Sequence, residues 1–170
     1  MSITTPPTSK TYGDADFTLT ATKSASAPDD GTWSWTSTDT AILEIVSGAN
    51  TAMPTIKVKK ADTTGATLTV TYESDTHMGS ASATITVAQK EVTISGITAN
   101  NKEYDGNTNA TVNASGATIT GKVDGDDLTV SVAAGSTFDS ADAGSRTVTL
   151  GTLTLDGTSA GNYTLATSGN

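Results

Sequence analysis

Hydrophobic and polar residues alternate along most of this chain with a period of two, the signature of half-buried β-strands. Leu68, Val70 and Tyr72 alternate with Thr67, Thr69 and Thr71. Ile56 and Val58 alternate with Thr55, Lys57 and Lys59, and Ile85 and Val87 with Thr84, Thr86 and Ala88. Val92 and Ile94 continue the pattern, as do Leu128, Val130 and Val132. Val148 and Leu150 share one parity, whereas Leu153 and Leu155 share the other, with Gly151 between them. A bulge or bend is expected at that glycine. Helical periodicity is nearly absent.

The connections carry turn chemistry: Pro28-Asp29-Asp30-Gly31, Ser47-Gly48-Ala49-Asn50, Asp62-Thr63-Thr64-Gly65, Asp105-Gly106-Asn107, Asp124-Gly125-Asp126 and Asp156-Gly157. Short strands between such turns predict a sandwich or barrel. A weak internal repeat divides the chain. Lys10-Thr11-Tyr12-Gly13-Asp14 is echoed by Lys102-Glu103-Tyr104-Asp105-Gly106. The spacing implies two modules, residues 1–89 and 90–170, with no Gly/Ser linker at the join. A join that short suggests a stiff, end-to-end arrangement.

Composition sharpens this picture. About a fifth of positions are Thr, well above ordinary usage. Thr is β-branched and suits the solvated face of a strand. There are no cysteines, so disulfides and thiolate metal sites are excluded. The formal charge is −9, from nine basic and eighteen acidic residues. That balance argues against nucleic acid and anionic membrane surfaces as partners, since phosphate contacts need Lys and Arg. No apolar run is long enough for a spanning helix. The N-terminus has no signal-peptide pattern. A secreted chain of this kind would then be an excised piece with Met1 added, lacking its signal peptide and anchor.

Candidate catalytic chemistry is thin. His77, the single histidine, lies in a polar stretch between strands, and no serine sits in a nucleophile elbow. Glu44, Glu73, Glu91 and Glu103, the only glutamates, form no pattern suited to glycoside hydrolysis. An enzyme is therefore not expected, nor a cofactor. Calcium is the more serious candidate. Asp124, Asp126 and Asp127 share one turn; Asp14 with Asp16 and Asp139 with Asp142 are lesser groups. Ordinary acidic turns account for all of these, because Asp-Gly turns arise for backbone reasons.

Two resemblances refine the reading. The stretch from Glu91-Val92-Thr93-Ile94 through Lys102-Glu103-Tyr104-Asp105-Gly106-Asn107-Thr108 resembles the opening of a YDG domain. Gly121-Lys122-Val123-Asp124-Gly125-Asp126-Asp127-Leu128 is similar to that family's acidic turn, and Leu153 through Asp156-Gly157 and Ala160-Gly161-Asn162-Tyr163-Thr164-Leu165 to its closing strands. In the first half, Thr32-Trp33-Ser34-Trp35-Thr36-Ser37-Thr38-Asp39, followed by Ile42-Leu43-Glu44-Ile45, resembles a strand of bacterial immunoglobulin-like domains; Gly65-Ala66-Thr67-Leu68-Thr69-Val70 is similar to a later one. These resemblances imply repeats of large bacterial surface or adhesin-like proteins, with no catalytic residues.

The expected fold is thus all-β, as two tandem immunoglobulin-like β-sandwich modules: a bacterial Ig-like sandwich over 1–89 and a YDG-type sandwich over 90–170. Trp33 and Trp35 share one strand face. Trp35 matches the family pattern and is expected in the core, which leaves Trp33 as a candidate ligand platform if its ring is exposed. Tyr104, Asp105, Gly106, Asn162 and Tyr163 are expected to be structural. The two tyrosines would bury their rings and tie their hydroxyls to backbone, like a tyrosine corner, and Asp105-Gly106 would make the turn. A Lys102–Asn162 isopeptide bond is a remote option. The expected role is a non-catalytic stalk segment, extracellular or on a bacterial cell surface, partnered by neighbouring modules of the same protein. The competing expectation is a module that binds a host glycan or protein.

Overall fold

A computed structural model describes residues 1–167 of the chain. The chain is all-β with several sheets, and no α-helix occurs among the described residues. It divides into two compact units, Met1–Lys90 and Glu91–Asn170.

The first unit contains β1 (Ser2–Ile3), β2 (Ser9–Thr11), β3 (Phe17–Thr18), β4 (Ala21–Thr22), β5 (Thr32–Ser37), β6 (Leu43–Ser47), β7 (Thr55–Val58), β8 (Asp62–Glu73) and β9 (Met78–Ala88). Four strands form one sheet in the order β2-β9-β8-β5, and three form another in the order β3-β7-β6; β1 pairs with β4. All pairings are antiparallel except that of β2 with β9, which is parallel. The architecture is sandwich-like, each sheet giving one face to the core.

Alternation decides which face. From Ala66 onward every second residue of β8 is buried: Ala66, Leu68, Val70 and Tyr72. Ile85 and Val87 of β9 and Trp35 of β5 add to that layer, while Leu43, Ile56 and Val58 come from the second sheet. The opposite face of β8 and β9 explains much of the Thr content. Thr67 and Thr84 face each other across the strands with hydroxyls 2.8 Å apart, and Thr69 pairs with Ser82 at 2.9 Å. Cross-strand hydroxyl pairs of this kind stabilise a wet sheet face.

Asp62-Thr63-Thr64-Gly65 is not a connection, as its composition suggests, but a bulge inside β8, where the register with β9 shifts. Asp62 accepts hydrogen bonds from the Thr64 and Gly65 N–H groups (2.8 and 3.0 Å), so the Asx geometry is satisfied without ending the strand. Gly65 has φ +74° and passes close to β9; a Cβ there would lie 2.2 Å from the Ile85 carbonyl oxygen.

The second unit contains β10 (Lys90–Ser95), β11 (Thr98–Ala99), β12 (Val112–Asn113), β13 (Thr118–Thr120), β14 (Thr129–Val132), β15 (Thr137–Phe138), β16 (Val148–Thr149), β17 (Leu153–Asp156) and β18 (Tyr163–Leu165), with a single 3₁₀ turn over Ala160–Asn162. β10 lies between β13 and β18, and three further two-stranded ribbons join β11 to β12, β14 to β17 and β15 to β16. Val92 and Ile94 of β10, Leu128 and Tyr163 are buried. Gly151 marks the expected bend. Before it the chain pairs with β15, after it with β14. Its N–H donates to the Oγ of buried Ser136 (2.9 Å), and a Cβ at Gly151 would lie 2.2 Å from the Ala133 carbonyl oxygen.

Candidate functional site

In the first unit the two tryptophans of β5 are treated differently by their surroundings. Trp35 is buried and its indole Nε1–H donates to the Thr51 carbonyl (2.9 Å). Trp33, two residues earlier on the same face, is half-buried, with its ring centroid 4.9 Å from that of Tyr72 at a tilt of 59°. It is a packed ring with one partly wet side rather than a fully exposed platform. Tyr72 is the centre of this corner. Its hydroxyl donates to the Pro28 carbonyl and accepts from the Gly31 N–H (2.9 Å), tying the 28–31 turn to the sheet. The alternation of β8 marks Tyr72 as inward-facing and Pro28–Gly31 reads as a turn, but nothing in the sequence joins the two across some forty residues.

The second unit repeats the device with Tyr163. Its ring is buried, its hydroxyl accepts from the Val123 N–H (2.9 Å), and it donates to an Asp126 carboxylate oxygen. This corner engages two of the three candidate calcium carboxylates in hydrogen bonds. Asp126 is bound to Tyr163, and Asp127 accepts instead from the N–H and hydroxyl of Thr158 (2.9 and 3.1 Å). Asp124 is exposed in the turn. No group of three metal-ligating side chains converges among the described residues. The Thr158 N–H holds the Asp127 carboxyl below its ordinary value. Asn162 sits in the 3₁₀ turn just before Tyr163, its N–H bonded to the Ser159 carbonyl (2.9 Å).

Tyr104 departs from expectation. Its ring is 72% exposed, not buried. The reason is local: Lys102, not the tyrosine, organises the loop. The Lys102 ammonium donates to the carbonyls of Asn107 and Asn109 (both 3.0 Å) and to the Asn107 side chain (2.7 Å), and pairs with Asp105 at 2.8 Å. Asp105 also accepts from the Asn107 N–H (3.1 Å) and side-chain amide (2.8 Å), and Gly106 takes φ +76° at the turn. The neighbouring ammonium, ahead of the Asn107 N–H, holds the Asp105 carboxyl below its usual value. So Asp105 and Gly106 do build the turn, while Tyr104 is carried on its outer side. The same bonds commit Lys102 to its own loop rather than to Asn162.

Tyr104 lines a cleft of about 400 Å³, formed where the 99–107 segment faces the 138–148 segment. Asn100, Asn101, Glu103, Asp142 and Arg146 are among its polar lining residues. A second groove, of about 680 Å³, lies along β13 and β14 and is lined by Ile119, Leu128, Val130 and Val132 among others.

These local arrangements, the Lys102-centred Tyr-Asp-Gly turn and the Tyr163 corner over the acidic turn, lie within the stretch that matches a known family. Residues 88–169 are a YDG domain. The YDG domain therefore begins at the end of β9 and takes in every strand of the second unit. No curated protein and no solved structure matches the chain. Further polar candidates lie outside the YDG domain. His77 is exposed at the tip between β8 and β9, its ring Nδ1 2.9 Å from the Thr76 hydroxyl. Glu44 pairs with Lys59 at 3.1 Å. Asp14 accepts from the Thr11 N–H (3.0 Å) and pairs with Lys10 (3.2 Å), which lowers its pKa.

Proposed function

We propose that the chain is a pair of tandem immunoglobulin-like modules acting as a non-catalytic stalk segment of a large bacterial cell-surface or secreted adhesin-like protein. The observation that carries this reading is the pairing of a strand near the start of the first unit with the strand at its end. In the first unit β2 runs parallel to β9, the unit's last strand, with Ser9, Lys10 and Thr11 opposite Thr86, Val87 and Ala88. The Thr86 N–H reaches the Thr8 carbonyl (3.1 Å) and the Tyr12 N–H reaches the Ala88 carbonyl (2.9 Å). When parallel terminal strands are pulled from opposite ends, their hydrogen bonds share the load in shear and must fail together. An antiparallel hairpin pulled at its open end fails one bond at a time. In the YDG domain β10 neighbours β18, the last strand among the described residues, and the Ala166 N–H bonds the Val92 carbonyl (2.9 Å). Strands placed this way suit a segment whose work is to transmit tension between neighbouring modules outside the cell.

Force spectroscopy on the whole chain tests this. The first unit, pulled from its two ends, should unfold at a clearly higher force than when it is pulled through the β8–β9 tip at Asp75. Lys10→Pro, which removes a backbone donor from the middle of β2, should abolish that difference. Equal forces in the two geometries would defeat the stalk reading.

A further inference from the structure

We infer that the cleft beside Tyr104 in the YDG domain is a binding site for a neutral pyranose glycan. This goes beyond the stalk reading and does not depend on it. Three observations converge. First, an aromatic ring stands 72% exposed against a concave surface. Leaving such a ring in water forgoes the burial that stabilises most tyrosines, and the tyrosine of the companion corner, Tyr163, does take that burial. A ring presented in this way offers its face to the C–H side of a sugar. Second, the cleft volume of about 400 Å³ falls in the range of about 300–1,000 Å³ typical of small-ligand sites. Third, its rim carries exposed polar side chains of the kind that recognise hydroxyl groups. Asn100 and Asn101 are exposed, and their side-chain amides make no hydrogen bond among the described residues. Each therefore presents donors and an acceptor together. Glu103 adds an exposed carboxylate.

The charges select a neutral ligand. Lys102 is neutralised by Asp105, and its ammonium is already shared among three oxygens of its own loop. The guanidinium of Arg146 donates to the Asp142 carbonyl (2.8 Å) and lies 3.9 Å from the Asp142 carboxylate. No surplus cation is left to attract a sialylated or sulfated sugar. The internal bonding of Lys102 also means that the platform is built before a ligand arrives, which reduces the ordering that binding must pay for.

The experiment is an amide NMR titration of the ¹⁵N-labelled whole chain with neutral cello-, chito-, malto- and manno-oligosaccharides, and with sialyllactose. At least one neutral series should shift amides of residues 100–107 and 141–146 while leaving those around Trp33 unmoved, and the binding should be insensitive to added salt. Tyr104→Ala should weaken binding about tenfold or more, and Tyr104→Phe should retain it. Both variants should melt like the parent, because the ring is exposed. The inference is overturned if no neutral series moves those amides at millimolar concentration. It is equally overturned if the shifts centre on Trp33, if only sialyllactose binds, or if Tyr104→Ala binds as tightly as the parent.

Discussion

At the scale of single residues, two tyrosine hydroxyls do comparable work in the two units. Tyr72 joins β8 to the 28–31 turn through Gly31 and Pro28, and Tyr163 joins β18 to the acidic turn through Val123 and Asp126. Removing either hydroxyl strands a backbone N–H in a part-buried setting, which costs about 1–3 kcal/mol. Tyr72→Phe should therefore lower the denaturant midpoint of the first unit, read by tryptophan fluorescence, since the chain's two tryptophans both lie there. Tyr163→Phe should leave that signal unchanged and destabilise only the YDG domain, read by its amide resonances. Carboxylates make a second prediction at this scale. Asp62, held low by the Gly65 and Thr64 N–H groups, joins Asp14, Asp105 and Asp127 in having a lowered pKa. A carboxyl with a depressed folded pKa contributes stability that is complete above its unfolded value, near 3.8, and is lost as pH falls through the folded value. Urea midpoints should be flat from neutral pH to about pH 5 and then fall on further acidification. Asp14, Asp105 and Asp127 are exposed and Asp62 is half-buried, so the loss should be modest and reduced by salt.

At the scale of elements, glycines decide where strands change partner. Gly151 lets the chain leave β15 and join β14 by running hard against the Ala133 carbonyl. Gly151→Ala places a methyl 2.2 Å from that oxygen, so backbone must move, at a cost of about 1–3 kcal/mol. The loss should appear as a lower melting point of the YDG domain, with the β14–β17 amides the first to exchange. The parity switch between Val148 and Leu153 made this bend legible in the sequence. The Asp62–Gly65 bulge was not, because an Asx turn reads the same whether the strand ends there or continues. Only the pairing of Asp62 with Val87 and of Ala66 with Ile85 tells the two apart.

At the scale of the whole molecule, the two units differ in how much they bury. Trp35, Leu43, Ile56, Leu68, Val70, Ile85 and Val87 are all nearly sealed from solvent in the first unit. In the YDG domain the buried apolar side chains among the described residues are Val92, Ile94, Leu128 and Tyr163, while Val130, Val132, Leu153 and Leu155 remain half-buried. Apolar burial is the main favourable term in folding, at roughly 25 cal/mol per Å². The YDG domain should therefore be the less stable unit. Urea denaturation should resolve two transitions, with the YDG amides lost before tryptophan fluorescence changes. Coincident transitions, or the reverse order, would show that burial does not set the relative stability of the two units.

The sequence by itself determined the strand character, the inward side of the main strands and the two-part division, because period-two alternation and Asp-Gly turns are local properties. It also marked Trp35 and Tyr163 for burial and Asp105-Gly106 for a turn; both rings are buried, and Gly106 takes φ +76°. What only the tertiary structure decided are the arrangements that join distant segments: the Tyr72 and Tyr163 bonds, the parallel pairing of β2 with β9, and the separation of Asp126 from Asp127. The exposure of Tyr104 belongs with these. Its resemblance to a buried corner residue was one of sequence context. Burial depends instead on what the folded loop packs against, and there the Lys102 ammonium gathers four oxygens of its own loop while the Tyr104 ring stands in solvent.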